Sequence, residues 1–239
     1  MFIGAVGLDA FGALTRDGLQ ADGIDVTRLR TADAPTGTAL IAVDDAGENT
    51  IIVEAGANRL LVDLDDSDAR AIASARVLLL QLEIPLGTVE VAARIARSAG
   101  TTAILNAAPI RDLPAALLES LDVLVVNEHE AAHLAGEREW AQLTEQVPVV
   151  VVTLGGEGAL LLRRGVDDVR VAAPKVVALD TTGAGDTFCG AFAASLAEGA
   201  DLEHALRFAV VAGSLSVEQH GAVPSIPMRE AIDARLSSI

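Results

Sequence analysis

The segment 180–186, with the sequence Asp-Thr-Thr-Gly-Ala-Gly-Asp, could bind a phosphate beside a catalytic base. Gly183 and Gly185 allow backbone conformations that are closed to other residues, so the chain can approach a ligand closely here. If a helix starts at this point, its first amides have no internal acceptor and attract an anion. Asp186 could then take the proton from a hydroxyl that attacks the bound phosphate. An aspartate that only caps a helix after a flexible turn is the structural alternative.

The residues on either side predict the elements that would position this segment. The run 176–179 is apolar and rich in β-branched residues, and it predicts a strand. After the segment, apolar residues recur at i, i+4 and i+8 and predict one buried helical face; they are Phe188, Phe192 and Leu196. The glycine-rich turn is therefore expected at the carboxyl end of a strand.

Short apolar runs alternate with amphipathic stretches along the whole chain, which indicates an α/β fold with one domain over residues 1–239. The continuous apolar runs suit a mostly parallel, doubly wound sheet with helices on both faces, such as a helix over 86–98. Two further pairs of runs predict β-hairpins, 38–43 with 49–53 around an Asp-Asp-Ala-Gly turn, and 159–163 with 169–172. The predicted strands are 2–5, 77–82, 102–105, 123–126, 149–153 and 176–179.

Polar residues follow five of the predicted strands. Open parallel sheets bind ligands beyond their carboxyl ends, so several polar side chains at these positions indicate a binding site. Each one taken singly is better explained by a helix cap or the start of a loop, and only the five together favour a site. The five residues are Glu83, Asn106, Asn127, Thr153 and Asp180.

Composition indicates an enzyme of ordinary globular type without identifying it. The 239 residues are 51% hydrophobic and 21% charged, and the net charge of −17 would repel nucleic acid and anionic membrane surfaces. No apolar run approaches the roughly 18 residues that a transmembrane helix needs. The N-terminus lacks a basic region and the single cysteine, Cys189, cannot form an internal disulfide, so we expect a reducing, cytoplasmic environment.

The stretch 180–190 resembles the signature of the ribokinase, or phosphofructokinase-B (PfkB) type, carbohydrate kinases. The order and spacing of the other matching segments are similar to the ribokinase branch, which implies a ribokinase-like fold. Those segments are Gly47-Glu48-Asn49, Gly56-Ala57-Asn58, Gln81-Leu82-Glu83, 106–109, Asn127-Glu128-His129-Glu130, Thr153-Leu154-Gly155, Gly221-Ala222 and Pro224-Ser225.

The resemblance implies transfer of the γ-phosphoryl group of ATP to a primary hydroxyl of ribose or a similar pentose. It implies that Asp186 is the base and that Glu83 forms a hydrogen bond to the sugar. It also implies an anion hole at Gly183, Ala184 and Gly185, in which the amides of residues 184–186 are the donors. The nucleotide would be bound by Asn127, Thr153, Gly155, Gly156 and Gly158.

Two metal sites are implied by the same resemblance. Glu130 would hold Mg²⁺ mostly through water, although Asn127 and Glu130 also have the spacing of a capping box. K⁺ would bind at Asp180, Gly221 and Ser225, although a carboxylate at a helix entry is an equally good interpretation of Asp180.

Two other functions stay open. Residues 129–133 read His-Glu-Ala-Ala-His, the zinc-hydrolase pattern, although this pattern accounts for one segment only. Compared with the family pattern, the chain lacks the first strands, which carry most of the sugar-binding residues, and it keeps residues 36–56 as a remnant of the β lid. A truncated nucleotide-binding fragment without catalytic activity is therefore the second alternative. The resemblance also implies a possible homodimer, formed through the lid.

Overall fold

The structure, a computed structural model, describes residues 1–43 and 49–238. Its residue contacts divide the chain into two units. The first unit contains Met1–Ile72 and Leu82–Ala92, and the second contains Ala73–Gln81 and Ala93–Ile239. The predicted Asp-Asp-Ala-Gly turn, together with Gly47 and Glu48 of the family motif, lies outside the described residues.

In the first unit, two parallel strands are connected by a helix that is largely exposed to solvent. The strands pair in register from Ile3 opposite Arg28 to Gly7 opposite Ala32. Gly12 is the buried residue of the connecting helix. The elements from the N-terminus onward are β1 (Ile3–Gly7), α1 (Ala10–Ala21), β2 (Arg28–Ala32), β3 (Thr38–Val43), β4 (Asn49–Glu54) and α2 (Asp66–Ser74).

A hydrogen-bond network around Asp9 fixes the start of α1. Its carboxylate accepts the Gly12 amide at 2.8 Å and also the amide and hydroxyl of Thr36, at 2.7 and 2.6 Å. Thr36 is buried, and its hydroxyl oxygen accepts the Gly7 amide at 2.9 Å. The chain leading into β3 is thereby tied to the N-terminus of α1.

The first predicted hairpin is confirmed. Strands β3 and β4 are antiparallel, from Thr38 opposite Glu54 to Val43 opposite Asn49. A hydrogen bond of 2.8 Å from the Ala57 amide to the Pro35 carbonyl joins the two ends of the hairpin.

A six-stranded sheet forms the centre of the second unit, in the order β10-β9-β8-β7-β6-β5. Neighbours from β5 to β8 are parallel, whereas β9 is antiparallel to both β8 and β10, which confirms the second hairpin and the mostly parallel α/β sheet. The remaining elements are β5 (Val77–Leu80), α3 (Leu86–Ala99), β6 (Thr102–Asn106), α4 (Ala115–Leu118), β7 (Val123–Asn127), α5 (Glu128–Ala135), β8 (Val149–Thr153), β9 (Ala159–Arg163), β10 (Val166–Val171), α6 (Ala184–Ala197), α7 (Leu202–Ser216) and α8 (Arg229–Leu236).

The core of this unit lies between the sheet and the pair α6 and α7. Phe192 is fully buried in it, and its ring stacks with that of Phe188 at a centroid distance of 6.3 Å. Strand residues such as Ile104, Val151 and Leu161 fill the other side. The predicted buried face of α6 is therefore correct at both phenylalanines, and it anchors the helix whose N-terminus carries the glycine-rich turn. None of the described helices is long and apolar enough to cross a membrane.

One predicted strand is wrong. Residues 172–183, which follow β10, have no regular secondary structure, so 176–179 joins no sheet. Val177 and Leu179 are 76% and 56% exposed, and the Leu179 amide donates to the Val217 carbonyl at 2.7 Å. A β-branched run forms a strand only where a neighbouring strand offers backbone partners, and 176–179 pairs with no strand among the described residues.

Candidate active site

The N-terminus of α6 has the backbone that a close ligand approach requires. Gly183 is its N-cap residue, with φ of 74° in the left-handed region that favours glycine. A Cβ atom at this position would lie 3.2 Å from the Cβ of Ala222. Both the conformation and the available space therefore favour glycine, and α6 begins at Ala184, within the segment 180–186 where a helix start is expected.

Two amides at this corner remain available to an anion. In the described chain the amides of Gly185 and Asp186 have no acceptor, whereas the Ala184 amide donates to the Thr181 carbonyl at 3.2 Å. The free amides lie at the positive end of the helix dipole, which attracts phosphate. The amides of Gly185 and Asp186 are therefore the two that could donate to an anion, and Gly183 forms the turn before them.

Asp186 stands beside these amides with its carboxyl partly withdrawn from water. Its side chain is open to solvent on one side, yet the surrounding protein desolvates the carboxyl and raises its pKa above the usual value of 3.8. Burial and, to a smaller extent, the charges of Asp186 and Glu130 together raise the pKa of the Cys189 thiol to about 12. Both carboxyls therefore lie within electrostatic reach of the same sulfur, on one side of α6.

A cavity of about 560 Å³, here called the nucleotide cavity, adjoins the anion-binding corner. One end of it is made by Ala184 and Gly185, and an apolar wall from Val176, Phe188 and Val210 faces that end. The predicted nucleotide residues Thr153, Gly155, Gly156 and Gly158 also line it. The structure thus joins two sequence motifs that lie about thirty residues apart into one site.

The glycines of the predicted nucleotide loop have different reasons to be glycine. A Cβ on Gly158 would lie 1.9 Å from the Val171 carbonyl oxygen, so the hairpin itself requires glycine there. Gly155 and Gly156 face open space within 4 Å. Gly155 has a positive φ of 53°, which itself favours glycine, so Gly156 is the position at which close approach of a ligand would explain the missing side chain.

Asn127 and Glu130 form the capping box that the sequence left open. The Asn127 side chain accepts the Glu130 amide and the Glu130 carboxylate accepts the Asn127 amide, both at 2.8 Å. The β7–β8 register places Asn127 opposite Thr153 of the nucleotide cavity. Glu130 is buried, which raises its pKa although the Asn127 amide lowers it in part. One carboxylate oxygen is engaged in the cap, and the other could bind a hydrated Mg²⁺ ion, because Mg²⁺ commonly keeps several waters.

Asp180 lies against the loop that was predicted with it. Its carboxylate accepts the Gly221 amide at 2.8 Å and the Thr182 amide at 2.9 Å, and these bonds lower its pKa to about 2. The buried Ser225 hydroxyl donates to the Ala222 carbonyl at 2.9 Å. An ionised carboxylate near the buried Ser225 hydroxyl fits a monovalent cation, and the hydrogen bonds of Asp180 also explain it as a structural link between the two segments.

The zinc pattern does not form a metal site in the described part of the chain. His129 and His133 lie on α5, but the Nε2 atom of His133 is 3.2 Å from the Oδ1 atom of Asp112, and Glu130 is used in the cap. Over residues 1–43 and 49–238, no group of three His, Cys, Asp or Glu side chains could hold a metal ion.

A second cavity, of about 460 Å³, lies on the other side of the α6 N-terminus, and sequence reasoning missed it. Asp186 and Thr187 line it, along with apolar residues of α7 and of the loop before α8, such as Phe208 and Val223. The buried Thr187 hydroxyl has no hydrogen-bond partner among the described residues. The catalytic candidate therefore stands between two cavities, as a transfer between two ligands would require.

The positions of two further residues, Lys175 and Glu83, also bear on the site. Lys175 lines the nucleotide cavity, although its sequence neighbourhood matches no phosphate-binding motif. The only sequence signal that singles out this residue is that it is the single lysine of the chain. Glu83 is exposed and belongs to the first unit, so its sugar-binding role stays a prediction.

Comparison with known proteins identifies relatives along almost the whole chain. The model of the pfkB family carbohydrate kinases matches residues 1–229. The ribokinase of Schizosaccharomyces pombe is 36% identical over 249 residues, which are 97% of this chain and 77% of the relative. The ribokinase of Haemophilus influenzae is 36% identical over 241 residues, with coverage of 96% and 78%.

Solved structures show the same fold. The ribokinase of Arabidopsis thaliana, complexed with ribose and ATP, superposes with a TM-score of 0.91 at 34% identity, covering 98% of this chain and 81% of that one. The ribokinase of Thermotoga maritima superposes with a TM-score of 0.89 at 34% identity, covering 99% and 80%. The predicted α/β class is therefore confirmed.

Proposed function

The chain belongs to the pfkB family of carbohydrate kinases, and from this premise we propose that it transfers the γ-phosphoryl group of ATP to the primary hydroxyl of ribose or a similar pentose. The observation that carries the proposal is the position of Asp186. It stands beside two free amides at a helix N-terminus, between the nucleotide cavity and a second cavity. The relatives named ribokinase, and the one solved with ribose and ATP, support the choice of sugar and nucleotide.

Each part of this site has a defined task in the proposed reaction. The apolar wall of the nucleotide cavity would receive the adenine ring, and Gly155 and Gly156 would let the backbone approach the phosphates. The amides of Gly185 and Asp186 would stabilise the charge that develops on the transferred group. Asp186 would accept the proton of the attacking hydroxyl, and its raised pKa makes it a stronger base than an ordinary aspartate.

Metal ions would complete the site. Mg²⁺, held near Glu130 through water, would neutralise phosphate charge during transfer. Glu130 offers a buried carboxylate for this purpose, which fits an ion that takes most of its ligands from water and phosphates. K⁺ would bind beside Asp180, near Gly221 and Ser225, and would stabilise the turn that leads into Gly183.

We also propose that the hairpin β3–β4, within residues 36–56, acts as a lid over the sugar and as the contact of a homodimer. The hairpin pairs with no further strand among the described residues, and Leu40, Ile52 and Val53 are each more than half exposed. A two-stranded hairpin is marginally stable alone, so a partner that covers these residues would stabilise it. The oligomeric state of the purified protein, measured by light scattering, tests this part.

ADP release in the presence of ribose and a panel of other sugars tests the main proposal. Asp186→Asn should abolish sugar-dependent turnover while the variant still binds ATP. Asp201→Asn is the matched control, because Asp201 is also an acid at a helix start, where it caps α7 by accepting the His204 amide at 2.8 Å. Equal turnover in the two variants would contradict the role of Asp186. ATP binding without turnover on any sugar would favour a nucleotide-binding protein without kinase activity.

A further inference from the structure

Lys175 is the one charged side chain among the described residues that line the nucleotide cavity. The other lining residues are glycine, alanine, proline, valine, threonine, serine and phenylalanine. Lys175 is also the single lysine in a chain whose net charge is −17. Lys175 is therefore the one positive charge among the described lining residues of this cavity.

The ammonium group is available for a ligand. Lys175 is exposed at the cavity and forms no hydrogen bond or ion pair with a described residue. The arginine on the neighbouring strand is not comparable, because Arg170 is paired with Glu157 at 2.7 Å. Lysine carries a compact charge on a flexible stem, so it can follow a ligand without a fixed geometry.

Electrostatics make such a cation useful here. A strongly negative chain repels an anionic nucleotide, which retains negative charge even when a divalent cation is bound. A single positive charge at the mouth of a cavity offsets this repulsion where the ligand enters. The free amides of Gly185 and Asp186 act only at short range, since the helix dipole is effective within about one turn.

We propose that Lys175 supplies the electrostatic attraction that draws the phosphates of a nucleoside polyphosphate into the nucleotide cavity. It is a binding group and takes no part in the chemical step. The proposal rests on the proposed function, because it assumes that the cavity binds ATP. The alternative is a solvated lysine at the rim that contributes nothing to binding.

The test compares Lys175→Met with Arg94→Met in binding of the magnesium complex of ATP, measured by calorimetry. Arg94 is exposed on α3 and is not among the lining residues, and either substitution takes the net charge from −17 to −18. At about 0.01 M salt we expect Lys175→Met to raise the Kd of ATP roughly fivefold to tenfold. This is the effect expected from the Coulomb attraction between one ammonium group and a doubly negative ligand in a high dielectric. Arg94→Met should leave Kd within about twofold of the parent, because its charge is exposed and remote from the cavity lining.

Binding measured at high salt distinguishes the loss of the charge of Lys175 from a change in the shape of the side chain. At about 1 M sodium chloride, where the Debye length falls to roughly 3 Å, the effect of Lys175→Met should shrink below about twofold. Potassium is held constant throughout, so that a cation site cannot contribute. Lys175→Arg should bind like the parent, and kcat should be unchanged in all variants. An unchanged Kd in Lys175→Met, a loss that persists at high salt, or an equal loss in Arg94→Met would each overturn the proposal.

A chemical measurement gives a second readout that needs no activity. Because the chain has one lysine, reductive methylation reports on Lys175 alone, with the N-terminal amine as internal reference. ATP should slow the methylation of Lys175 and leave the reference unchanged, and equal rates with and without ATP would count against the proposal. If the parent binds no ATP, the proposed function fails as well, whereas ATP binding that is independent of Lys175 refutes this inference alone.

Discussion

Replacement of Gly183 by alanine tests whether the anion-binding corner depends on a left-handed residue. An L-residue in the left-handed region costs roughly 1–2 kcal/mol. The added Cβ would also lie 3.2 Å from Ala222, which must move slightly. We therefore expect Gly183→Ala to lower the free energy of unfolding by about 1–2 kcal/mol or more, which corresponds to a fall in Tm of about 2–8 °C for a chain of this size.

The matched control adds the same methyl group to the same helix. Gly190 lies within α6, its φ is not positive, and no atom would lie within 4 Å of an added Cβ. Gly190→Ala should therefore raise the free energy of unfolding by roughly 0.5–1 kcal/mol, because alanine is the better helix former. The two variants should differ by about 1.5–3 kcal/mol in urea unfolding, with equal m-values.

Nucleotide binding provides the second assay for this corner. In Gly183→Ala the turn that sets the amides of Gly185 and Asp186 is displaced, so we expect weaker binding of ATP as well as lower stability. A Gly183→Ala protein that unfolds at the same urea concentration as the parent, and binds ATP equally well, would refute the reasoning. It would mean that the turn adopts another conformation at no cost.

Three further predictions concern the same half of the chain. Asp186→Asn should lower kcat by about 10²- to 10⁴-fold with little change in the Kd of ATP. Because the pKa of Asp186 is raised, kcat of the parent should fall with decreasing pH at a pH above the usual aspartate range, and this fall should be absent in the variant. Phe192→Ala, at a fully buried position, should lower the free energy of unfolding by about 3–5 kcal/mol in urea titrations, and a smaller loss would mean that the core collapses around the cavity. The hydrogen bonds from Gly221 and Thr182 lower the pKa of Asp180 from 3.8 to about 2. The stabilisation from these bonds is therefore fully present above pH 3.8 and is lost as the pH falls through about 2. The Tm of Asp180→Asn should be below that of the parent at neutral pH, and the two Tm values should converge near pH 2.

The irregular segment before α6 shows where local pattern was insufficient. Residues 176–179 have strand-like composition, yet Val177 and Leu179 are exposed and no neighbouring strand offers backbone partners. The prediction failed because strand formation depends on non-local pairing. The prediction of the α6 start succeeded because it rests on local features, namely a glycine that tolerates a positive φ and apolar residues at helical spacing.

The zinc pattern gives a similar lesson. His129 and His133 have a metal-binding spacing in sequence, and only the fold shows that Asp112 pairs with His133 and that Glu130 serves as a cap. A spacing along one helix identifies two candidate ligands and cannot show which partner arrives from another part of the chain. The capping box, whose members lie within one turn, was readable from sequence for the opposite reason.

The amino-acid sequence by itself determined the α/β alternation, the two hairpins, the start of α6 and the candidate base Asp186. All of these depend on periodicity, glycine conformation or spacing within about one turn. Tertiary structure alone decided that Thr153, Gly155 and Gly156 meet the α6 N-terminus in one cavity, and that Lys175 lies in it. It also decided that Asp186 stands between two cavities. These facts require loops from distant parts of the chain to meet beside one sheet, and no local signal in the sequence encodes where such loops converge.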